Sequence, residues 1–517
     1  MTPRVAPRVA VVGGGISGLA AAHRLRTLLG PSAAITVLEQ RDRLGGVLRT
    51  VDLAGVAFDV GAEAFLARRP EVPALLAELG LTAELVHPTG ATASVRAGGR
   101  TGPLPGGTLL GVPTSAARLD GLLSAAGLTA VAAEPERPVS WQPGEDVALG
   151  GLLRSRFGDE VADRLADPLL GGVYAGRVDA LGLRATVPAL AAALDAGAPS
   201  LTAAADAATA PPASLPNGQR ESPERAGRVP RTDSASLPSH PGESPVPAGR
   251  VPRTSRASRA GAPGTPVFGA VRGGYRVLLD ALTAAAGADV RLRTTVRELR
   301  RRDAGWRLVL GPTTAPEALD VDAVVLAVPA PAAARLLAGA APTVARAAGE
   351  IELASSVVVA LAYRAQDAGT LPATSGVLVA ADEPLPVKAV THSSNKWAHL
   401  GADGLVRLRA SLGRFGEAAS LQVDDAELVA RARAGLAALA GLTAAPVAVH
   451  VQRWGGGLPQ YAVGHLDRVR TIEDGLPPGL AVAGSALHGV GVPACVATGR
   501  AAAERVAPFA TNGTSVG

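Results

Sequence analysis

The clearest chemistry in this 517-residue sequence lies in three glycines and one acid: Gly13, Gly15 and Gly18, spaced GxGxxG, and Glu39, about 21 residues beyond the last of them. Residues 9–12 are all apolar and residues 19–29 are rich in Ala and Leu, so the glycines sit between a buried strand and a helix. Gly13 permits a tight turn, Gly15 lets the backbone approach a pyrophosphate, and Gly18 lets the helix pack close to the strand. A diphosphate at that point meets unpaired N–H groups and the positive end of the helix dipole. Gly13, Gly14, Gly15, Ile16, Ser17 and Gly18 are therefore expected to hold it. Residues 35–38 read as the next strand, and Glu39, with Gln40 beside it, stands where a carboxylate accepts a hydrogen bond from a ribose hydroxyl. An acid there suits an unphosphorylated ribose, hence FAD or NAD before NADP.

These groups meet only if the runs around them form a sheet with helices on its faces. After a second glycine turn, Arg43-Leu44-Gly45-Gly46, residues 53–60 read as one strand leading into Gly61-Ala62-Glu63-Ala64, and a helix follows over 72–79, stopped by Gly80. Residues 88–112 read as turns and a short hairpin, and from Thr114 to about Leu201 the chain is mostly helical. Inside that block DPLLGGVYAG, 167–176, sets glycines on both sides of an aromatic, as in a loop pressed against something flat or a helix-to-helix turn. Beyond residue 267 the pattern gives a helix to 286, one strand over 290–299, strands at 306–310 and 323–328, and helix over 332–350. Strands at 355–363, 375–380, 407–411 and 447–453, with HSSNKW at 392–397, continue a second sheet beside a helix over 424–439. A last apolar strand, 480–484, leads through Gly489-Val490-Gly491-Val492 into a helix of small residues.

One stretch differs in kind. ASLP at 213–216 recurs at 235–238 and AGRVPRT at 226–232 recurs at 248–254, an offset of 22 residues. Two Pro/Ser/Arg-rich copies with few large apolar residues cannot offset the entropy of ordering, so 205–265 reads as a disordered insertion. Residues 211–262 carry eight arginines against four acids, which accounts for most of the net charge of +5 and leaves the rest near neutral, excluding nucleic acid as a partner of the folded part. Lys388 and Lys396 are the only lysines among 50 basic residues, a bias that reflects base composition. Cys495 is the single cysteine, so no disulfide or Cys-based metal site is expected, no metal is assigned, and a cytoplasmic setting is favoured. No run is long and apolar enough to predict a membrane-spanning helix.

The LGG of 44–46 resembles the second glycine turn of the large FAD-dependent oxidase superfamily, and this selects FAD over NAD. Together GGGISGL at 13–19, DPLLGGVYAG at 167–176, VRGGYRVL at 271–278, SNKW at 394–397, RWGGGLPQYAVGH at 453–465 and AGSALHGVGVPACVATG at 483–499 resemble the porphyrinogen oxidases of haem biosynthesis, over nearly the whole chain outside the repeat. The resemblance implies an α/β fold: a Rossmann-type FAD-binding domain from 1–66, 266–330 and 468–506, a mixed α+β substrate-binding domain from 67–112 and 331–467, a helical subdomain over 113–204, and a flexible tail over 507–517. It implies FAD contacts from Arg43, Gly45, Gly46, Gly61, Ala62, Glu63, Ala64, Val296 on the adenine side, Trp454, Gly484, Val490, Gly491 and Val492. Arg68, Arg69 and Arg177 are the arginines that could pair with propionates, and Tyr174 either packs on the macrocycle or fills a domain interface.

The activity implied is oxidation of coproporphyrinogen III to coproporphyrin III, six electrons passed to oxygen in three peroxide-forming rounds, with protoporphyrinogen IX as the alternative substrate. Loss of hydride from an sp³ bridge to the flavin needs orientation and a dry pocket rather than an acid–base pair, and the sequence offers no convincing triad and no HExxH. His465 and His488 read either as proton acceptors or as structural groups. The chain departs from the family at Arg177, where an acid is common, at 62–64, where Pro-Asp-Ser is common, and at His488. An amine oxidase and a non-catalytic flavin- or porphyrin-binding carrier are the rival readings. Contact with a membrane surface or a pathway enzyme, and the oligomeric state, stay open.

Overall fold

The computed structural model describes residues 6–210 and 266–512; the 22-residue repeat lies outside the described residues. A five-stranded parallel sheet carries the first glycine turn. Its order is Asp289–Arg291, β2 (Ala34–Leu38), β1 (Arg8–Val12), Ala323–Leu326, Leu480–Val482. Val9, Val11 and Val325 enter one core, under α1 (Ile16–Leu29) and the closing helix Val492–Asn512, while Ala10, Val12 and Leu326 enter another, under Trp306 and the helices Ala330–Leu337 and Pro342–Gly349. A strand serving two cores must be apolar at every position, which is why these runs show no alternation.

A seven-stranded sheet lies elsewhere in the same compact unit, in the order Ala448–Pro459, Leu353–Arg364, Leu405–Leu412, Ala389–His392, Gly376–Val379, Ala93–Ala97, Arg100–Pro103. Here the side chains do alternate. Val357, Val359, Leu361, Leu408, Ala410 and Leu412 pack with Leu428 and Leu436 of helix Asp425–Ala440, whereas Ala360 and Ala362 pack with Leu53, Phe58 and Trp397 on the other face. The short helices from Ala125 to Thr209 share a third core with Val95 and Tyr461. No helix among the described residues is long and apolar enough to cross a membrane.

Several expected elements are divided or moved by local backbone. The stretch 53–60 is a hairpin, β3 (Thr50–Leu53) and β4 (Val56–Asp59), because Ala54 and Gly55 turn with φ of 53° and 79°. The stretch 290–299 splits at Arg293, φ 53°, into Asp289–Arg291 of the parallel sheet and Val296–Arg301 of an antiparallel one. Helix over 332–350 is two helices, the second opening at Pro342. DPLLGGVYAG is neither loop nor turn: Asp167–Tyr174 is a helix running on from a π-type turn at Ala162–Ala166, and only Ala175, φ 50°, ends it. HSSNKW continues the sheet only through His392, the end of strand Ala389–His392, and then turns into a short helix, Ser393–Lys396. Residues 205–209, expected in the insertion, complete helix Leu201–Thr209 with Ala204 and Ala205 buried. The tail expected from 507 is helical to Asn512, with Ala507 and Ala510 buried.

Candidate active site

The glycine turn after β1 is fixed by close approach. A Cβ on Gly13, at φ 106°, would lie 2.3 Å from the Ala327 carbonyl oxygen, and one on Gly18 would lie 1.9 Å from that of Gly13. Around Gly15 a Cβ would meet nothing nearer than the Gly46 Cα at 3.9 Å. The first and third glycines hold strand to helix, and the second leaves the backbone open. The second turn stacks on the first, with Gly45 N–H donating to the Gly14 oxygen at 2.8 Å. Arg43 fixes that second turn: its guanidinium donates to the carbonyls of Leu44, Gly46 and Leu48 and lies 6.0 Å from the Trp454 ring centre. Glu39, 7% exposed at the end of β2, accepts from Gly14 N–H at 2.8 Å and Arg41 N–H at 2.9 Å. Gln40 beside it is exposed, and Val296 packs with Val12 and Leu38 where the Thr294 N–H donates to the Glu39 carbonyl.

Ile16 and Ser17 are buried in the first turn of α1, which carries no acidic residue and no side-chain cap. That end of the helix keeps its positive field for a ligand.

The segment Gly61–Ala64 is held from three sides. A Cβ on Gly61 would lie 1.9 Å from the Val47 oxygen, Trp454 Nε1 donates to the Val60 carbonyl at 3.0 Å, and Arg409 donates to the carbonyl of Gly61. Glu63 turns its carboxylate toward the seven-stranded sheet, accepting from Ser393 Oγ at 2.5 Å and Lys396 Nζ at 3.0 Å, with Arg409 at 3.9 Å. Burial opposes its charge, yet Lys396 and then Arg409 hold its carboxyl at about 2. Its side chain is thus tied to the sheet. Asp59, just before, is driven the other way: burial raises it to about 6 although Thr50 Oγ1 donates to it at 2.5 Å.

The last glycine turn is clamped by aromatic residues. Tyr461 hydroxyl donates to the Ser485 carbonyl at 2.6 Å, its ring stacks on His465 at 3.8 Å, and His465 Nε2 lies 3.2 Å from the Leu487 carbonyl. A ring nitrogen facing a carbonyl must carry the hydrogen, so this nitrogen cannot accept a proton. Burial also pushes the imidazole down to about 4. His488 pairs instead with Glu473 at 2.6 Å on the exposed side. Tyr174 packs on the clamp: its ring centre is 5.3 Å from that of Tyr461 and its carbonyl accepts from Gln460 at 2.8 Å. Beyond the clamp, Gly484 at φ 133° has open space where a Cβ would be, Val490 packs against the helical core, Gly491 is exposed and Val492 is buried with Ile16.

The arginines proposed for carboxylates divide. Arg69 is bound to Glu71 at 2.6 Å, Arg68 is exposed, and Arg177 is half-buried with no ion-pair partner among the described residues. Sequence reasoning gave no role to Ser393, Lys396, Arg409, Gln460 or Tyr461. The one available signal was that two lysines survive in a chain that otherwise uses arginine.

The residues fit FAD. Gly15 and Gly484 leave open backbone where Gly13, Gly14, Gly18 and Gly45 are blocked, two helix N-termini lack acidic residues, and a buried carboxylate stands at the end of β2. Fold and site together define an FAD-dependent oxidoreductase. Residues 16–507 match the family of flavin containing amine oxidoreductases, and the chain belongs to it. It is similar to proteins named coproporphyrinogen III oxidase from Mycobacterium tuberculosis, 45% identical over 502 residues covering 97% of each chain, and from Propionibacterium freudenreichii, 36% identical over 96% of this chain and 90% of that one. A crystal structure from Exiguobacterium sp. 255-15, described as a protoporphyrinogen oxidase, superposes with a TM-score of 0.76 at 28% identity, covering 97% of this chain and 99% of that one.

Proposed function

We propose that the chain oxidises coproporphyrinogen III to coproporphyrin III, with molecular oxygen as the final electron acceptor. The observation that carries this reading is the full-length similarity, at 45% identity, to proteins named for that substrate. The geometry supports it by what it provides and what it withholds. FAD, when bound, supplies the two-electron acceptor that oxygen restores. The chain's own residues hold and orient: α1 and Glu39 the dinucleotide, Trp454, Arg43 and Arg409 the segment Gly61–Ala64, and Tyr461 with His465 the turn before Val492. His465 presents Nε2 to a carbonyl, with its basicity lowered by burial, and His488 pairs with Glu473 on the exposed side, so the reading gives neither a part in the oxidation. A reaction driven toward an aromatic macrocycle needs orientation and exclusion of water, which this arrangement offers. The same reading assigns 1–66, 266–330 and 468–506 to FAD, 67–112 and 331–467 to substrate, and 113–204 to the helical subdomain.

The test is an aerobic assay of purified, FAD-loaded protein with coproporphyrinogen III and protoporphyrinogen IX side by side, following porphyrin fluorescence and peroxide, with a deflavinated control. Faster coproporphyrin formation that vanishes without FAD is the expected result. Preference for protoporphyrinogen moves the reading to the alternative substrate, and binding without turnover of either moves it to a carrier.

A further inference from the structure

The strand Leu405–Leu412 sends one guanidinium under the segment Gly61–Ala64 and leaves most of it without a partner. Arg409 is 9% exposed, donates to the Gly61 carbonyl, and keeps a buried Nε–H with no acceptor among the described residues. The one carboxylate within ion-pair range of it among the described residues, Glu63, lies 3.9 Å away and is already bound to Lys396 at 3.0 Å. Asp59 is turned elsewhere, accepting from Thr50 Oγ1 at 2.5 Å and from the Tyr275 N–H at 3.2 Å.

Two more cations stand on the other side of the same segment. Arg43 donates to the carbonyls of Leu44, Gly46 and Leu48, and Arg49, whose carbonyl accepts from the Val60 N–H, donates from Nη1 to Gln452 Oε1 at 2.6 Å. Both guanidiniums bond to neutral oxygens. Four cations, Arg43, Arg49, Lys396 and Arg409, are therefore arranged around 43–64 with Glu63 as the acid they share. A buried charge so sparsely paired weakens the fold, so stability does not account for it.

Contacts along the backbone relate this charge to the cofactor. A Cβ on Gly61 would lie 1.9 Å from the Val47 oxygen, directly after the second glycine turn, and Gly46 of that turn is the nearest neighbour of the open backbone at Gly15. The N–H groups of Gly61, Ala62, Glu63 and Ala64 donate to no backbone acceptor among the described residues. A trans peptide points its N–H opposite to its C=O, so with the Gly61 carbonyl drawn to Arg409 the Ala62 N–H faces away from the seven-stranded sheet. The peptide presents its positive end on that far side, with the guanidinium behind it.

We propose that Arg409 is a positioning residue for the flavin: it locks the Gly61–Ala62 peptide with its N–H turned to the cofactor and, with Arg43, Arg49 and Lys396, keeps that side of the site positive, which raises the flavin's reduction potential. Uptake of two electrons and one proton leaves a flavin one unit more negative, and a fixed positive field favours that form. The test uses wild type, Arg409→Gln, Arg409→Lys and Glu63→Gln, each loaded with FAD. The midpoint potential is measured by anaerobic equilibration with a dye of known potential, with FAD content and Tm alongside. For Arg409→Gln the equilibrium constant for reduction falls about tenfold, which is about 30 mV for a two-electron couple. Arg409→Lys recovers part of the loss, and Glu63→Gln moves the potential upward because it removes the acid that faces Arg409. A purely structural Arg409 would lower Tm and FAD content without these opposite shifts. Should Arg409→Gln fail to fold or to hold FAD, Glu63→Gln decides: an upward shift supports the proposal, and an unchanged or lower potential overturns it. An unchanged potential in a folded, FAD-loaded Arg409→Gln overturns it as well. No porphyrinogen enters the measurement, so the proposal rests on bound FAD and fails separately from the substrate reading above.

Discussion

Glu63 and Asp59 stand four residues apart and their surroundings drive them in opposite directions, to about 2 and about 6. Glu63, held below the ordinary carboxylate range by Lys396 and Arg409, contributes stability that is present above about pH 4.5 and lost as pH falls toward 2. Asp59, raised by burial, contributes stability that is complete below about pH 4 and lost as pH rises through about 6. Asp59→Asn removes the second dependence, so wild type should lose several degrees of Tm relative to this variant between pH 4 and pH 6, the gap holding steady above; a parallel pair of profiles would contradict it. Glu63→Gln leaves Lys396 and Arg409 facing each other with little water, and unfolding in urea should show a loss of about 3 kcal/mol. An unchanged midpoint would mean that the pair is solvated. The sequence made Gly13, Gly15, Gly18 and Glu39 legible because their roles follow from backbone geometry at short range. It could not reveal the setting of Glu63, because the partner that determines its charge lies 333 residues away.

At the scale of elements, the buried strands were readable and their breaks were not. A run that serves two cores declares itself by being apolar throughout, as Val9–Val12 and Ala323–Leu326 do. The turns at Ala54, Ala175 and Arg293 occur at residues whose types give no warning, since each adopts a left-handed conformation that Gly or Asn ordinarily supplies. Helix Asp167–Tyr174 escaped notice for the reverse reason: two glycines and a proline disguise a helix whose Gly171 packs 3.2 Å from the Gly176 carbonyl at its Cβ position. The β3–β4 hairpin yields a test. Ala54 precedes Gly55 in a turn where Asn-Gly is favoured, so Ala54→Asn should stabilise the protein by about 0.5 kcal/mol. The Arg407 guanidinium, which donates to the Leu53 and Ala54 carbonyls, constrains the backbone and not the side chain, and so does not oppose the change. Ala54 also packs at the edge of the cluster of Leu53, Phe58 and Trp397, and a downward shift of the thermal midpoint would show that losing this contact outweighs the better turn.

For the whole molecule, the parallel sheet dictates how the parts depend on one another. β1, from the start of the chain, pairs with Ala323–Leu326, and that strand pairs with Leu480–Val482. α1 lies so close to the closing helix that a Cβ on Gly499 would come within 2.2 Å of the Ser17 oxygen. The arrangement has a consequence in time. On a ribosome adding 5–20 residues each second, the full sheet and the helix that covers α1 are not available until roughly half a minute to a minute and a half after the first glycine turn. Until then the face of α1 that meets the closing helix through Ser17 has nothing to cover it. The nascent chain must therefore hold its dinucleotide-binding strand unfinished until the strand Leu480–Val482 and the closing helix have been made.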